Sequence, residues 1–221
     1  MEVRTSTYVY VAGDARERAL RSADGLLGDR LSELDVERDT RLDGERLVVE
    51  VEGEDADVAA SIVENEFGAP VSGEPGVYVG GLVEWDERGW VVDREHRARV
   101  PASELESLGE GKPSQIRERY GVVQHTPLEI EVTGDGVGLT DRQVDALWSW
   151  RKGSGRLNVN STTRSEIRAT VNRAGHAHDV VTVERLGLLE QSVVCREATD
   201  PPGLLASVGP YVNGEMLCVV T

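Results

Sequence analysis

The 221-residue chain is short of lysine, phenylalanine and cysteine, and it has no long apolar run. Lys112 and Lys152 are its only lysines, so 22 of its 24 cationic side chains are arginine, and Phe67 is its one phenylalanine. No window approaches the roughly 18 apolar residues of a membrane-spanning helix, and the first residues lack the pattern of a signal peptide. Cys195 and Cys218 are too few for a disulfide framework, so we expect reduced, buried thiols in a cytoplasmic protein without a membrane partner.

The charge balance is strongly acidic, with 40 Asp and Glu residues and a formal net charge of -16. An acidic, arginine-rich and lysine-poor surface resembles that of proteins from salt-loving archaea. In molar salt the Debye length is about 3 Å, so the repulsion among the carboxylates is screened. We therefore treat the acidity as background, and a local departure from it as the informative feature.

One segment departs clearly from this background. The stretch Trp148–Arg156 reads WSWRKGSGR, and between Ala146 and His178 six cations face the single acid Glu166. This segment has a net charge of +5, which leaves -21 for the rest of the chain. We call its six cations the basic island: Arg151, Lys152, Arg156, Arg164, Arg168 and Arg173.

Hydrophobic spacing and turn residues divide the chain into three units, residues 1–72, 73–135 and 136–221. The first predicts strand, helix, hairpin and helix, with its first strand at Thr7–Gly13 and its first helix starting at Asp14. The second has short strands, many turn residues and a small helix before its last strand, as in a compact barrel. The third predicts a connecting helix from Thr140 and then the order β-α-β-β-α-β. We predict an α+β fold in which two ferredoxin-like units flank a small OB-like β-barrel.

The helix predicted at Arg164–Arg173 carries half of the basic island. Thr163 and Glu166 form a capping-box pattern, and Ile167 and Val171 mark the buried face. Arg164 and Arg168 fall on an adjacent strip one turn apart, where guanidinium groups can bind successive phosphates. Trp150, and Trp90 in the second unit, are candidates to stack on bases. The alternative is that these arginines pair with the chain's own carboxylates or with an acidic protein, and that the tryptophans pack in the core.

Two resemblances bear on function. The motifs Gly81-Leu82-Val83, Gly89–Asp93 and Ser103-Glu104-Leu105 resemble the OB-type RNA-binding domain of ribosomal and initiation-factor proteins, which implies RNA binding. The stretches LGEGKPSQIRERYGVVQHTPLEIEV and RLNVNSTTRSEIRATVNRAGHAHDVVTVERLGLLEQSVVCREATD resemble an archaeal conserved family of unknown function. The second resemblance implies no activity.

Motifs for catalysis or metal binding are weak. His176 and His178 are two residues apart and do not share a helix face, so we interpret them as structural or exposed rather than as metal ligands. Cys195 with His176 is a nucleophile pair by count only, the nucleophile-elbow motif is missing, and LGEGKPS lacks the spacing of a phosphate-binding loop. We therefore expect no metal, no cofactor and no enzyme activity.

The sequence thus favours a non-catalytic RNA-binding protein linked to translation or RNA handling, with RNA or a ribonucleoprotein as its partner. A protein-interaction or oligomerisation module, for example a homodimer, is the alternative. Exposed arginines on one face would favour RNA, whereas arginines bound to the chain's own acids would favour the alternative.

Overall fold

The computed structural model describes residues 1–93 and 95–220. It has a mixed α+β architecture with three small antiparallel sheets, one in each third of the chain. Each sheet packs on its own cluster of buried apolar side chains. No helix among the described residues combines the length and the apolar character that crossing a membrane requires.

The N-terminal unit is a three-stranded sheet with two helices. Its elements are β1 (Glu2–Tyr8), α1 (Asp14–Arg30), β2 (Val36–Asp43), β3 (Arg46–Gly53) and α2 (Ala56–Phe67), and the strand order is β1-β3-β2. Alternate residues of β3, among them Leu47, Val49 and Val51, point to one face and pack against Leu27 of α1 and Val63 of α2. Burial of this face holds both helices on the sheet.

The first strand lies earlier than the prediction of Thr7–Gly13. The strand ends at Tyr8, and the apolar residues that follow leave the sheet. Val9 is fully buried, whereas the hydroxyl of Tyr10 bonds to Glu190, which is 180 residues away. The apolar run is therefore a strand followed by a segment that connects the first unit to the third. The first helix does begin at Asp14, but its N-cap is Gly13, and no side chain caps it.

The central unit is a five-stranded sheet with helices at its ends. Its elements are β4 (Gly76–Asp86), β5 (Gly89–Val92), β6 (Ala98–Pro101), a short 3₁₀ helix (Glu104–Leu108), α3 (Pro113–Arg119), β7 (Pro127–Val132), β8 (Val137–Leu139) and α4 (Asp141–Trp150). The strand order is β6-β5-β4-β7-β8. Within the described strands no hydrogen-bonded ladder joins β6 to β8, so the sheet does not close into a barrel.

Helix α4 packs with the central unit, although the sequence pattern groups it with the third unit. Its N-cap is as predicted, since Thr140 Oγ1 accepts a hydrogen bond from Gln143 N at 3.2 Å. Leu147 is fully buried in the central cluster, with Val144 and Trp148 packed against it. The helix follows the chain from β8 and covers the sheet that it leaves.

The C-terminal unit has the predicted order β-α-β-β-α-β. Its elements are β9 (Arg156–Val159), α5 (Arg164–Arg173), β10 (Val180–Arg185), β11 (Gln191–Cys195), α6 (Pro201–Val208) and β12 (Met216–Val219), with short 3₁₀ helices at Ala177–Asp179 and Gly209–Tyr211. The strand order is β10-β11-β9-β12. Helices α5 and α6 contribute Ile167, Val171, Leu204 and Val208 to its cluster. Cys195 is buried and Cys218 is half-buried, and both are free thiols.

Candidate functional site

Helix α5 exposes part of the basic island to solvent. A capping box fixes the residue at which the helix begins, and this sets which of its side chains face outward. Thr163 N donates to Glu166 Oε2 at 2.8 Å, and Thr163 Oγ1 accepts from Glu166 N at 3.4 Å, which completes the predicted capping box. Ile167 and Val171 are buried against the sheet. Arg164 and Arg168 consequently lie on the exposed side of the helix, about 6 Å apart along its axis.

These two arginines line an open groove between α1 and α5. Its volume is about 630 Å³, and it also contains Arg30 of α1 and Arg185 of β10. We call these four residues the arginine groove. Arg30 Nε lies 3.1 Å from Glu66 Oε2, and Arg185 binds the other oxygen of the same carboxylate. Within the part of the chain that the structure describes, no ion pair or hydrogen bond engages the guanidinium groups of Arg164 and Arg168, so both can bind an external anion.

Arg173 lies on another side of the same helix. Its guanidinium donates to Thr170 Oγ1 at 3.3 Å, and with Tyr211 it lines a second groove of about 440 Å³. The tyrosine ring follows α6 and is 71 % exposed. Tyr211 could not be predicted as a site residue, because a tyrosine after a Gly-Pro turn has no periodicity that distinguishes a surface ring from a packed one.

Two members of the predicted site bind each other instead. The side chain of Arg156 is only 12 % exposed, its Nη1 lies 3.1 Å from Glu184 Oε2, and it donates to Ser192 Oγ at 3.2 Å. Burial lowers the pKa of Arg156, an effect that the carboxylate of Glu184 opposes. The Arg156 guanidinium also lies 5.2 Å from the ring centroid of Trp150. Arg156 and Trp150 thus follow the alternative interpretation, in which the cations pair within the chain.

The other predicted residues lie apart from α5. Trp90 is fully buried in the central cluster, and its Nε1 donates to the carbonyl of Pro113 at 3.0 Å, so the ring has no exposed face for a base. Arg151 is the C-cap residue of α4. Its guanidinium carbon lies 5.6 Å from the ring centroid of Tyr120 and 6.0 Å from that of Trp148. Lys152 is exposed in the turn that follows. The structure therefore brings together Arg164 and Arg168, places Arg173 on another side of the same helix, and separates them from both tryptophans.

His176 has a structural environment. Its Nδ1 lies 2.7 Å from Asp179 Oδ2, and its Nε2 lies 2.7 Å from Ser207 Oγ. The order Ser–His–Asp is that of a nucleophilic triad, but Ser207 lies in the last turn of α6 rather than at a strand-to-helix elbow. We assign the three side chains to holding the end of α5 against α6.

Sequence reasoning missed a cluster of buried polar groups where the three units meet. Tyr10 of the first unit donates a hydrogen bond to Glu190 of the third, and its ring stacks on His125 of the second with the centroids 3.8 Å apart. Burial raises the pKa of Glu190 to about 8, while the Tyr10 hydroxyl acts in the opposite direction. Burial and the neighbouring Glu190 carboxyl both raise the pKa of Tyr10. These residues are far apart in the sequence, so no local pattern could have connected them.

Taken together, the fold and the site define a three-unit α+β protein with an exposed cationic helix in its last unit. Family models match the chain over almost its full length: the DUF2110 N-terminal domain over residues 2–73, the DUF2110 central domain over 73–151, and the DUF2110 C-terminal domain over 154–220. The chain belongs to the DUF2110 family. The central match includes α4, in agreement with its packing. No curated protein and no solved structure matches the chain.

Proposed function

We propose that the protein binds RNA on the exposed side of α5. Arg164 and Arg168 would contact phosphates bidentately, Arg30 and Arg185 would extend the cationic surface, and Tyr211 beside Arg173 would stack on a base. The observation that carries the proposal is the exposure of Arg164 and Arg168 without an internal partner in a chain of net charge -16. Elsewhere in the described chain, arginines as exposed as Arg88 and Arg97 lie beside carboxylates.

The local charge supports an anionic ligand. The arginine groove holds four guanidinium groups, and the carboxylates among or beside them are Glu66 and Asp29. The groove is therefore positive, whereas the molecule as a whole is strongly negative. A guanidinium group binds a phosphate bidentately, whereas the ammonium group of lysine acts as a point charge. A site built of arginines therefore suits a phosphate backbone better than a site built of lysines would.

The architecture adds support by analogy. The order β-α-β-β-α-β and the strand order β10-β11-β9-β12 favour a ferredoxin-like third unit, and the first unit has the same order without its last strand. The central sheet, with a helix before β7, favours a degenerate OB-like unit. Both folds serve RNA binding among many other functions, so they support the proposal and do not carry it. A role in translation or RNA handling in a halophilic archaeon is part of the same proposal.

A second candidate function rests on a different observation. Strand β10 is at the edge of its sheet and exposes Val181, which is 59 % accessible. An edge strand with an apolar side chain facing water can pair with the same strand of another copy. The alternative is therefore a homodimer or a protein-interaction module without RNA.

The test is binding of a fluorescent single-stranded RNA at several salt concentrations. The charge reversal Arg164→Glu/Arg168→Glu should weaken binding at least tenfold and should reduce the slope of log K against log salt by about 1.4, since each lost phosphate contact contributes about 0.7. The matched control is Arg88→Glu/Arg97→Glu, which makes the same charge change on exposed residues of the central unit. Equal binding by the wild type and by both double variants would exclude the proposal, and a dimer by light scattering would then favour the alternative.

A further inference from the structure

A small cavity lies where the three units meet. Its volume is about 180 Å³, and it is separate from the arginine groove. All three units supply lining residues: Ser6, Thr7 and Tyr10 from the first, Asp93 and His125 from the second, and Glu190 from the third. Cavities at domain junctions with convergent polar groups are common ligand sites.

The backbone around this cavity is unusual. Four non-glycine residues in the described chain have positive φ angles, and Asp93 (66°) and His125 (70°) both line the cavity. A third, Ser161 (60°), donates its N–H to the Tyr10 hydroxyl at 3.1 Å. Left-handed conformations at non-glycine residues cost free energy and concentrate at functional sites. Two of these residues thus line the cavity, and the third bonds to a tyrosine that lines it.

Three of the hydroxyl groups that line the cavity, those of Ser6, Thr7 and Tyr10, donate their protons to acceptors within the protein. Ser6 Oγ donates to the carbonyl of Val79 at 2.5 Å, and Thr7 Oγ1 donates to the carbonyl of Phe67 at 2.8 Å. Tyr10 donates to Glu190. Each of these three hydroxyls therefore has only lone pairs left to offer, so a ligand that binds to them must bring its own hydrogen-bond donors.

Glu190 contributes a carboxyl group to the cavity lining, and Tyr10 and His125 contribute aromatic rings. The residue is 5 % exposed, and it shares the cavity with Tyr10, Glu66, Asp93 and His125. Its raised pKa, about 8, means that much of it carries a proton at neutral pH. The Tyr10 ring, which stacks on His125, lines the same cavity, and a tyrosine ring is a surface that attracts an organic cation.

We infer that the junction cavity binds a small organic cation, a protonated amine whose N–H groups donate to the Ser6, Thr7 and Tyr10 oxygens and whose charge is balanced by Glu190. The volume suits this ligand, because a cavity of about 150 Å³ accommodates benzene. The inference does not depend on RNA binding, since the cavity and α5 use different residues. In the described residues no three His, Cys, Asp or Glu side chains form a metal-binding group, and the ring faces favour an organic ligand over a metal ion.

The experiment uses benzylammonium as the probe and benzyl alcohol as its neutral counterpart of the same size. Titration of the full chain, followed by isothermal calorimetry and by amide chemical shifts, should show saturable binding of benzylammonium at least tenfold tighter than that of the alcohol. The shifts should centre on residues around Tyr10, His125 and Glu190. Because binding favours the ionised carboxyl, the heat at pH 7 should change with the ionisation enthalpy of the buffer, in the sense of proton release.

Two variants make the test specific. Glu190→Gln keeps an acceptor for the Tyr10 hydroxyl, so the fold should persist while benzylammonium binding weakens at least tenfold and proton release disappears. Glu197→Gln makes the same substitution at an exposed position and should bind like the wild type. The inference is wrong if neither probe binds, if the alcohol binds as tightly as the cation, or if Glu190→Gln leaves benzylammonium binding unchanged. RNA binding measured on Glu190→Gln gives a separate result, because the proposal on α5 predicts that it is retained.

Discussion

At the scale of single residues, Glu190 has an environment far from that of water. Its carboxyl is almost fully buried between three units, and its hydrogen-bond partner Tyr10 comes from the opposite end of the chain. Burial penalises the charged form and raises the pKa from 4.5 to about 8. The folded protein therefore holds a proton that the unfolded chain releases.

This difference predicts a pH-dependent stability. Between about pH 4.5 and pH 8 the folded state binds more protons at Glu190 than the unfolded state does, so the free energy of unfolding should fall as pH rises through this window. The contribution of Glu190 is fully present below pH 4.5, is lost by about pH 8, and has a slope of at most about 1.4 kcal/mol per pH unit. The other titratable groups that line the cavity are Tyr8, Tyr10, Glu66, Asp93 and His125. Urea unfolding at constant salt from pH 5 to pH 9 measures the slope.

The matched variants isolate the group responsible. Glu190→Gln cannot titrate and should give a flatter profile, whereas Glu197→Gln should retain the wild-type slope. A wild-type profile that rises with pH across this window, or one that Glu190→Gln leaves unchanged, would assign the titration to another group.

At the scale of elements, helix α5 begins at a capping box and carries the arginines that are proposed to bind RNA. Its capping box links Thr163 and Glu166. Glu166 also forms an ion pair with Arg18 of α1, in which Arg18 Nε lies 2.5 Å from Glu166 Oε1. Although partial burial acts to raise the pKa of Glu166, hydrogen bonds from Thr163 and the Arg18 guanidinium together lower it. The same acid thus starts the helix and joins it to the first unit.

Loss of the cap should destabilise the protein by about 1 kcal/mol. In Thr163→Ala the first turn loses its side-chain acceptor, and urea unfolding should show a lower midpoint with an unchanged m-value. Thr163→Ser retains the hydroxyl and is the control, for which we expect most of the stability to return. If the serine variant were as unstable as the alanine variant, packing of the threonine methyl group rather than the cap would be responsible.

The elements also show which features of the fold and the site can be predicted from the sequence and which cannot. Helix α5 has the predicted limits, because a capping box and a 3.6-residue period are local signals. The first strand was misplaced, because its apolar run continues past Tyr8 into a segment that bonds to the third unit. Burial of Trp90 and the pairing of Arg156 with Glu184 depend on residues distant in sequence, which neither period nor composition reveals. The sheet orders and the junction cavity are tertiary features of the same kind.

At the scale of the whole molecule, buried polar contacts hold the three units together. Arg117 of α3 is 6 % exposed and binds Glu215, which precedes β12, with nitrogen–oxygen distances of 2.7 and 3.0 Å. Asn158 Nδ2 donates to the carbonyl of Gly121 at 2.8 Å, across the same interface. Ser6 connects the first unit to the second through the Val79 carbonyl. Such contacts are specific in geometry and should make unfolding cooperative across the units.

Removal of one partner should therefore affect more than its neighbours. We expect Arg117→Ala to lose about 3–5 kcal/mol, because it leaves Glu215 without its cation in a partly buried interface. We also expect the wild type to unfold in a single transition and Arg117→Ala to unfold in two, as measured by calorimetry and by tryptophan fluorescence. Arg119→Ala removes a half-buried cation from the same helix, whose guanidinium donates to the Glu110 carbonyl within the central unit, and should change little. Coincident transitions in Arg117→Ala would show that the Arg117–Glu215 pair is not what couples the units.

Glu66 takes part in both the arginine groove and the junction cavity. Its carboxylate holds Arg30 and Arg185 of the arginine groove, and the same residue lines the junction cavity. An occupant of the cavity that drew this carboxylate inward would release two of the four guanidinium groups in the groove. Equilibrium linkage then requires reciprocity: whatever factor the occupant applies to the affinity of the groove for an anion, the anion applies to the affinity of the cavity for its occupant.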